Sequence, residues 1–397
     1  MPAAPPDPSL IFPAIANEAH VALAVSGGSD SMALLRLVHE WARFSPSPRL
    51  SILTVDHGLR LAAASEARQV AVWSAALGLA HQILTWDGPR PATGIQARAR
   101  KIRYDLMAEW CSANAASVLM TAHTRDDQAE TVLMRLMRTA SIDSIAGIPR
   151  HGQWNGTRLF RPLLDHGRES LRDFLRAGGQ GWIDDPSNDD RQFERVRLRA
   201  VLPDLAATGI TPERLAGLAS ECADMASELQ RRAAEWTAIH AEERDGYCSL
   251  PREGFLTLPR ELRVRVLARV IGHYGGGGSP ERDEVLRLAE TMADVASRWT
   301  LGGAVIWARK DRFLIGREAA RIAAGPVIVP QSGEVLWDRR YRVSAPAGTV
   351  VLPASRVPAF RNTSAAPPAF RQSEPAVIWS DGTIAAFQAF FLDMKSL

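Results

Sequence analysis

The strongest constraint on the fold is an alternation that starts at Val21 and runs to the glycines at 178 and 179. Short apolar runs, "VALAV", "LSILTVDHG", "HQILTW" and "SVLMTAH", are each followed by a segment of helical periodicity. In "MALLRLVHEWARF" the residues Leu34, Leu35, Val38 and Trp41 fall on one helical face. "SEARQVAVWSAALGL" predicts a second helix with Ser65 as its N-cap. "IQARARKIRYDLMAEWCSAN" predicts a third, burying Ile95, Ile102, Leu106 and Trp110, and "DDQAETVLMRLMR" a fourth. "RLFRPLL" adds a fifth strand, and "GRESLRDFLRAGG" a helix stopped by glycine. Strands alternating with helices of this length form an α/β domain, a parallel sheet with helices on both faces. Ligands on such sheets bind beyond the carboxyl ends of the strands.

A chain of 397 residues is too long for one ordinary core. After Pro203 the pattern changes to long helices, "TPERLAGLASECADMASELQRRAAEWTAIHAEE" and "SPERDEVLRLAETMADV", separated by the Gly275–Gly278 run. A hairpin-type pair in "SRWTLGGAVIWARKDRFLIGRE" closes a small α+β module. The expected organisation is therefore an α/β domain over 1–205, a mainly helical, α+β domain over 206–322, and a small β-containing region over 323–397.

Composition excludes some classes. No apolar run is long enough to span a bilayer, and the first twenty residues lack the basic-then-apolar order of a secretory signal. Cys111, Cys222 and Cys248 are scattered, with no CxxC pair, which argues for a reducing compartment and against zinc or iron–sulfur ligation by paired cysteines. A cytoplasmic protein with no membrane partner is expected, and a homodimer is compatible with the sequence. The net charge of +3 says nothing about nucleic acid, but only Lys101, Lys310 and Lys395 are lysines, so almost all positive charge is arginine. A GC-rich coding bias accounts for the count; the positions of the arginines carry the information.

Three strand ends and two helices carry the chemistry. "SGGSDS", Ser26 to Ser31, follows the first strand. Gly27 and Gly28 let backbone N–H groups converge, Ser26, Ser29 and Ser31 add hydroxyl donors, and the next helix turns its N-terminus to an anion. The loop has no lysine, which rules out the Walker type. Asp30 would repel phosphates unless a divalent cation lay between them, so Mg²⁺ is implied. In "VDHGLR" Asp56 and His57 stand where they can reach a ribose or base. "TAHTRDDQAET" brings His123 to the end of the fourth strand, with Asp126, Asp127 and Glu130 opening the next helix. One acid in a first turn serves the helix dipole. Three beside a histidine exceed that need, and they can hold Mg²⁺ or pair with a substrate ammonium group. Arginines cluster at Arg98, Arg100 and Arg103, and again at Arg195, Arg197 and Arg199, as a candidate phosphate or RNA track.

The SGGSDS loop resembles that of the ATP pyrophosphatases, the PP-loop superfamily. Together with "DHGLR", "ARKIRY", "AHTRDDQAETVLMRLMR", "RPLL" and "DDPSN", in that order, the chain resembles the tRNA(Ile)-lysidine synthases over Val21 to Leu205. It departs from them at "TASIDSIAG", where only Gly147 of a glycine-rich stretch remains, and at Arg195-Val196, where an Arg-Asn pair is usual. The resemblance implies an adenine nucleotide hydrolase-like fold over 1–205 and tRNA binding by 206–322. It implies an AMP-forming ligase that joins L-lysine to C2 of the wobble cytidine of tRNA(Ile) with a CAU anticodon, through an adenylated cytidine, releasing AMP and pyrophosphate. ATP would lie on Ser26, Gly27, Gly28, Ser29, Asp30 and Ser31, with Asp56 and His57 beside it. Asp30 and Asp127 would hold Mg²⁺; Asp30, His123, Asp127 and Glu130 would be catalytic. Arg100, Arg103, Arg195 and Arg199 would contact phosphate or tRNA. A tRNA thiolase of the same superfamily, or an inactive ATP- and tRNA-binding protein, are the alternatives.

Overall fold

In the computed structural model the described residues are 6–44, 48–56, 58, 63–86, 88, 95–138, 141–184, 192, 194–244, 246–278, 280–293, 297–322, 325–358, 360, 366–392 and 394. The chain divides into two compact units, Met1–Ala226 and Ser227–Leu397.

The first unit opens with a short helix α1 (Pro8–Ile11) and then alternates β1 (His20–Ala24), α2 (Ser29–Ala42), β2 (Arg49–Asp56), α3 (Ala63–Ala76), β3 (Ala80–Thr85), α4 (Ile95–Ala113), β4 (Val118–Met120) and α5 (Arg125–Leu136). There follow α6 (Ile142–Ile145), β5 (His151–Trp154), β6 (Thr157–Phe160), α7 (Arg168–Ala177), α8 (Glu194–Ala207) and α9 (Pro212–His240), whose first half belongs to this unit. The strands form one sheet in the order β3-β2-β1-β4-β6-β5. Every pairing is parallel except β5 with β6, an antiparallel hairpin that the sequence reading did not anticipate.

Successive β1 residues point to opposite faces, so each face needs its own cover. Val21 and Leu23 pack with Leu34, Leu37 and Val38 of α2, Val70 of α3, and Leu171 and Leu175 of α7. Ala22 packs on the other face with Tyr104, Met107 and Cys111 of α4. The α2 face is the expected one. On α4 the buried stripe is Tyr104, Met107, Ala108 and Cys111, whereas Ile102, Leu106 and Trp110 are only partly buried. Tyr104, Met107 and Cys111 recur at i, i+3 and i+7, a second helical stripe that the reading passed over. Helix α3 begins two residues before Ser65, which therefore lies inside its first turn and not at the N-cap.

The second unit, after β7 (Glu242–Arg244) and β8 (Tyr247–Pro251), carries α10 (Arg252–Leu256), α11 (Arg260–Tyr274) and α12 (Arg282–Thr291). Strands β9 (Arg298–Leu301), β10 (Ala304–Ala308) and β11 (Arg312–Arg317) complete a five-stranded antiparallel sheet, β7-β8-β11-β10-β9. The expected hairpin is thus three strands; β9 and β10 turn on Gly302 and Gly303, both at positive φ. Beyond them β12 (Val327–Ile328), β13 (Glu334–Trp337), β14 (Tyr341–Ser344), β15 (Val350–Pro353), α13 (Pro368–Arg371), β16 (Pro375–Ile378) and β17 (Gln388–Phe391) make two three-stranded sheets.

The turn from β1 into α2 is where the fold demands glycine. Gly27 sits at φ +90°, and a Cβ there would lie 2.7 Å from the Ile183 side chain, whose amide donates to the Gly27 carbonyl at 2.9 Å. Gly28 is in an ordinary extended conformation, with its nearest neighbour 3.8 Å from a built Cβ. Gly27→Ala should cost on the order of 2 kcal/mol of unfolding free energy in a denaturant titration. Gly28→Ala should cost far less. Equal losses would show that the left-handed turn is not what position 27 provides.

Candidate active site

The order β3-β2-β1-β4 reverses direction between β1 and β4, and on sheets of this kind ligands bind beyond the carboxyl ends at such a point. Two loops reach it, Ser26–Ser31 after β1 and Thr121–Glu130 after β4. The first is held by its own hydroxyls. Ser31 Oγ donates to the Gly28 carbonyl at 2.9 Å and lies 3.2 Å from the Ser26 amide, which donates to it. Ser26 Oγ lies 3.3 Å from Ser31 Oγ, and Ser29 Oγ donates to Asp30 Oδ1 at 3.2 Å. With Gly28 as N-cap and no side chain capping α2, its first amides face the loop.

Helix α5 starts in a capping box. Thr124 accepts from the Asp127 amide at 3.4 Å, and Asp127 Oδ2 accepts from the Thr124 amide at 2.9 Å. The box fixes the Asp127 carboxylate at the helix N-terminus. Asp126 is spent differently: its Oδ2 accepts from the Arg168 backbone amide at 2.7 Å. Glu130, one turn on, is fully buried.

Arg168, the first residue of α7, joins these acids. Its Nε donates to Asp30 Oδ2 and its Nη2 to Asp127 Oδ1, both at 3.0 Å, and its Nη1 lies 3.7 Å from Glu130 Oε1. Arg199 Nε donates to the same Glu130 oxygen at 2.8 Å. Glu130 Oε2 is buried and has no hydrogen-bond partner among the described residues. Arg172, one turn along α7, donates from Nε to Ser29 Oγ at 3.3 Å. Neither Arg168 nor Arg172 was singled out from sequence. The available signal was two arginines four apart at the start of a helix whose apolar stripe, Leu171 and Leu175, packs on the core.

Burial raises the Asp30 carboxyl above its usual range, with Asp127 adding to the rise and Arg168 opposing it. Burial works the same way on Asp127, but the Arg168 charge and the Thr124 amide outweigh it and hold that carboxyl below the usual range. Arg168 loses hydration, yet Asp30, Asp127 and Glu130 hold it more firmly protonated than a free arginine. Burial, with Arg100, Arg161 and Arg195 nearby, pushes His123 down to about 4 against the attraction of Asp127. His123 is therefore neutral at pH 7. Arg100 can only donate, so His123 Nε2, 3.4 Å from Arg100 Nη2, is the acceptor. The ring proton then sits on Nδ1 and is donated to Thr121 Oγ1 at 3.0 Å.

The structure thus gathers Ser26, Gly27, Gly28, Ser29, Asp30, Ser31, His123, Asp127, Glu130, Arg100 and Arg199 around one sheet edge. Arg195 donates to Thr131 Oγ1 at 3.5 Å and lies near enough to His123 and Asp127 to act on both electrostatically. Arg103 is exposed on α4. Asp56 ends β2 and accepts from the Gly58 amide at 3.0 Å. His57 and most of "DDPSN" lie outside the described residues. The altered stretch before Gly147 forms α6, capped by Ser141, and is tied down by Arg135, whose Nη1 donates to the Ser144 and Gly147 carbonyls at 2.8 Å. Gly147 is needed there: at φ +67°, a Cβ would lie 2.4 Å from the Gln128 amide that holds Ile148.

A family model described as a PP-loop domain matches residues 9–205. The tRNA(Ile)-lysidine synthase of Rhodopseudomonas palustris is 42% identical over 309 residues, covering 74% of this chain and 89% of that protein. That of Ruegeria pomeroyi is 40% identical over 332 residues, covering 82% of this chain and 76% of that protein. Among solved structures, a U34-tRNA thiolase from Methanococcus maripaludis aligns over 54% of this chain and 73% of that chain, at 15% identity and a TM-score of 0.45. With relatives this similar over most of their own length, and a PP-loop domain carrying the acids and the phosphate loop, the chain belongs to the tRNA(Ile)-lysidine synthase family.

Proposed function

We infer that the protein ligates L-lysine to C2 of the wobble cytidine of tRNA(Ile) with a CAU anticodon, consuming ATP and releasing AMP and pyrophosphate. The observation that carries this reading is the meeting of the SGGSDS loop with Asp127 and Glu130 at the β1–β4 edge, in a chain of this family. In the first step the cytosine O2 attacks the α-phosphorus of ATP; the new O–P bond forms as the bond to pyrophosphate breaks. The serine hydroxyls and the free amides of α2 receive the departing pyrophosphate, with Arg172 beside Ser29 to balance its charge. In the second step the lysine ε-nitrogen attacks C2, and AMP leaves with the former O2. Asp127 and Glu130 attract the ε-ammonium group, and Glu130 Oε2, the acceptor without a partner, takes the proton the amine sheds. His123, held neutral, serves as an acceptor beside them.

Asp30 and Asp127 are the residues that would hold Mg²⁺. The donors are hard carboxylate oxygens on two elements brought together at one edge. That suits an ion that takes few protein ligands and fills its shell with phosphate and water. When bound, it would neutralise charge on the phosphates. Arg100 and Arg199 border this site, and Arg103 and Arg195 flank it, as contacts for tRNA phosphates.

A thiolase reading needs a reactive cysteine. Cys111 is fully buried between Ala22, Leu53 and Met107, and burial pushes its thiol up to about 11. Cys222 and Cys248 are buried as well. Among the described residues no helix is long and apolar enough to cross a membrane.

Purified protein incubated with ATP, radiolabelled lysine and an unmodified tRNA(Ile) transcript bearing CAU should incorporate label. Absence of incorporation would sink the reading and leave a nucleotide- and tRNA-binding protein. Asp127→Ala should abolish incorporation, and persistence in that variant would remove Asp127 from the chemistry.

The depressed His123 makes a separate prediction. Its folded pKa is below the unfolded value of roughly 6.5, so the unfolded chain binds the extra proton. Its contribution to stability is complete above that value and is lost as pH falls toward 4. The melting temperature of the wild type should therefore drop more steeply across this window than that of His123→Gln. Parallel curves would mean that the ring is not held neutral.

A further inference from the structure

Three acids, Asp30, Asp127 and Glu130, face one another in a largely desolvated crevice, and two arginines, Arg168 and Arg199, answer them. Arg199 reaches Glu130 alone. Among the described residues Arg168 alone touches Asp30, Asp127 and Glu130 together, and its side chain is only 17% exposed.

The geometry of the contact matters as much as its charge. Asp30 and Asp127 stand on different helices, 97 residues apart in sequence, and like carboxylates placed together need a donor between them. A guanidinium is a rigid plane with donors on two edges. Using Nε for one carboxylate and Nη2 for the other fixes the spacing between them. The Arg168 backbone is itself held, its amide donating to Asp126, and Leu171 and Leu175 anchor α7 on the sheet core. A lysine could supply the charge here but not the rigid fork of Nε and Nη2.

We propose that Arg168 is the positioning residue of this active site, a built-in counter-cation that sets the distance between Asp30 and Asp127. It acts through these carboxylates, with no contact to the reacting atoms required. The proposal rests on Asp30 and Asp127 being the working acids of the proposed ligase.

The test compares the full-length wild type with R168K and R168Q in two readouts. In the lysine-incorporation assay R168Q should lose about a hundredfold in kcat, the cost of a misplaced catalytic group, with a much smaller change in KM for lysine. R168K should recover little of that loss, because charge without the fork does not set the spacing. In the second readout, thermal unfolding with magnesium chloride alone, the ion should raise the melting temperature of R168Q more than that of wild type or R168K. Without the guanidinium, the cluster is more negative and attracts a cation more strongly. A merely structural ion pair would lower stability without changing the response to magnesium. R168Q retaining most of the wild-type kcat, R168K restoring it fully, or equal magnesium shifts in all three proteins would each overturn the proposal. If R168Q does not fold, the kcat of R168K decides. If the wild type incorporates no lysine, the proposed reaction fails while the magnesium comparison still judges Arg168.

Discussion

The pairing of β1 with β4 is the constraint on which the rest depends. These strands are almost a hundred residues apart, yet Val21, Ala22 and Leu23 lie directly opposite Val118, Leu119 and Met120. All six are buried, so the register is fixed by apolar residues on both faces of the sheet. Once it is fixed, the loops leaving the two strands must emerge side by side. One brings backbone and hydroxyl donors suited to phosphate; the other brings carboxylates. A slip of one residue would turn Ala22 and Leu119 out of their core and part the Asp30 and Asp127 carboxylates.

Burying acids in such a crevice is costly, and the structure shows how the cost is met. Asp127 is stabilised twice, by the Thr124 capping box and by Arg168, which is why its carboxyl stays below the usual range. Asp30 has the guanidinium and one hydroxyl, and it ends up above that range. Two like groups a short distance apart are thereby made unequal. An unequal pair of this kind is what acid–base chemistry uses.

The strands, the helices of the sheet domain and the two chemical loops could be read directly, because each rests on local periodicity or on a glycine that the turn demands. Leu34, Leu35, Val38 and Trp41 proved to be core, and Asp30, Asp127 and Glu130 meet at the sheet edge where the strand ends were expected to bring them. What local reading missed is long-range. The β5 hairpin is only four residues a side, too short to show an alternation. The α4 face was misjudged because Tyr104 and Cys111 were not counted as apolar, although both pack inside. Arg168 and Arg172 lie on the polar side of an amphipathic helix and so read as solvated surface. Only the packing of α7 beside α2, some 140 residues earlier in the chain, turns them onto Asp30 and Ser29.

The arginine-for-lysine bias also takes on a meaning that its count did not have. In the second unit Arg317 and Arg340, both buried, share the carboxylate of Asp338, at 3.1 and 2.8 Å. Carbonyls of Gly303, Arg321 and Ser373 take up further guanidinium donors. This is the active-site arrangement with its sign reversed: two cations on one acid, where Arg168 is one cation on three acids. Five donors in a rigid plane allow a buried guanidinium to satisfy a carboxylate and several carbonyls at once, which an ammonium group on a flexible stem cannot match. A coding bias can supply arginines anywhere on the surface. At these buried positions, geometry requires the arginine whatever supplied it.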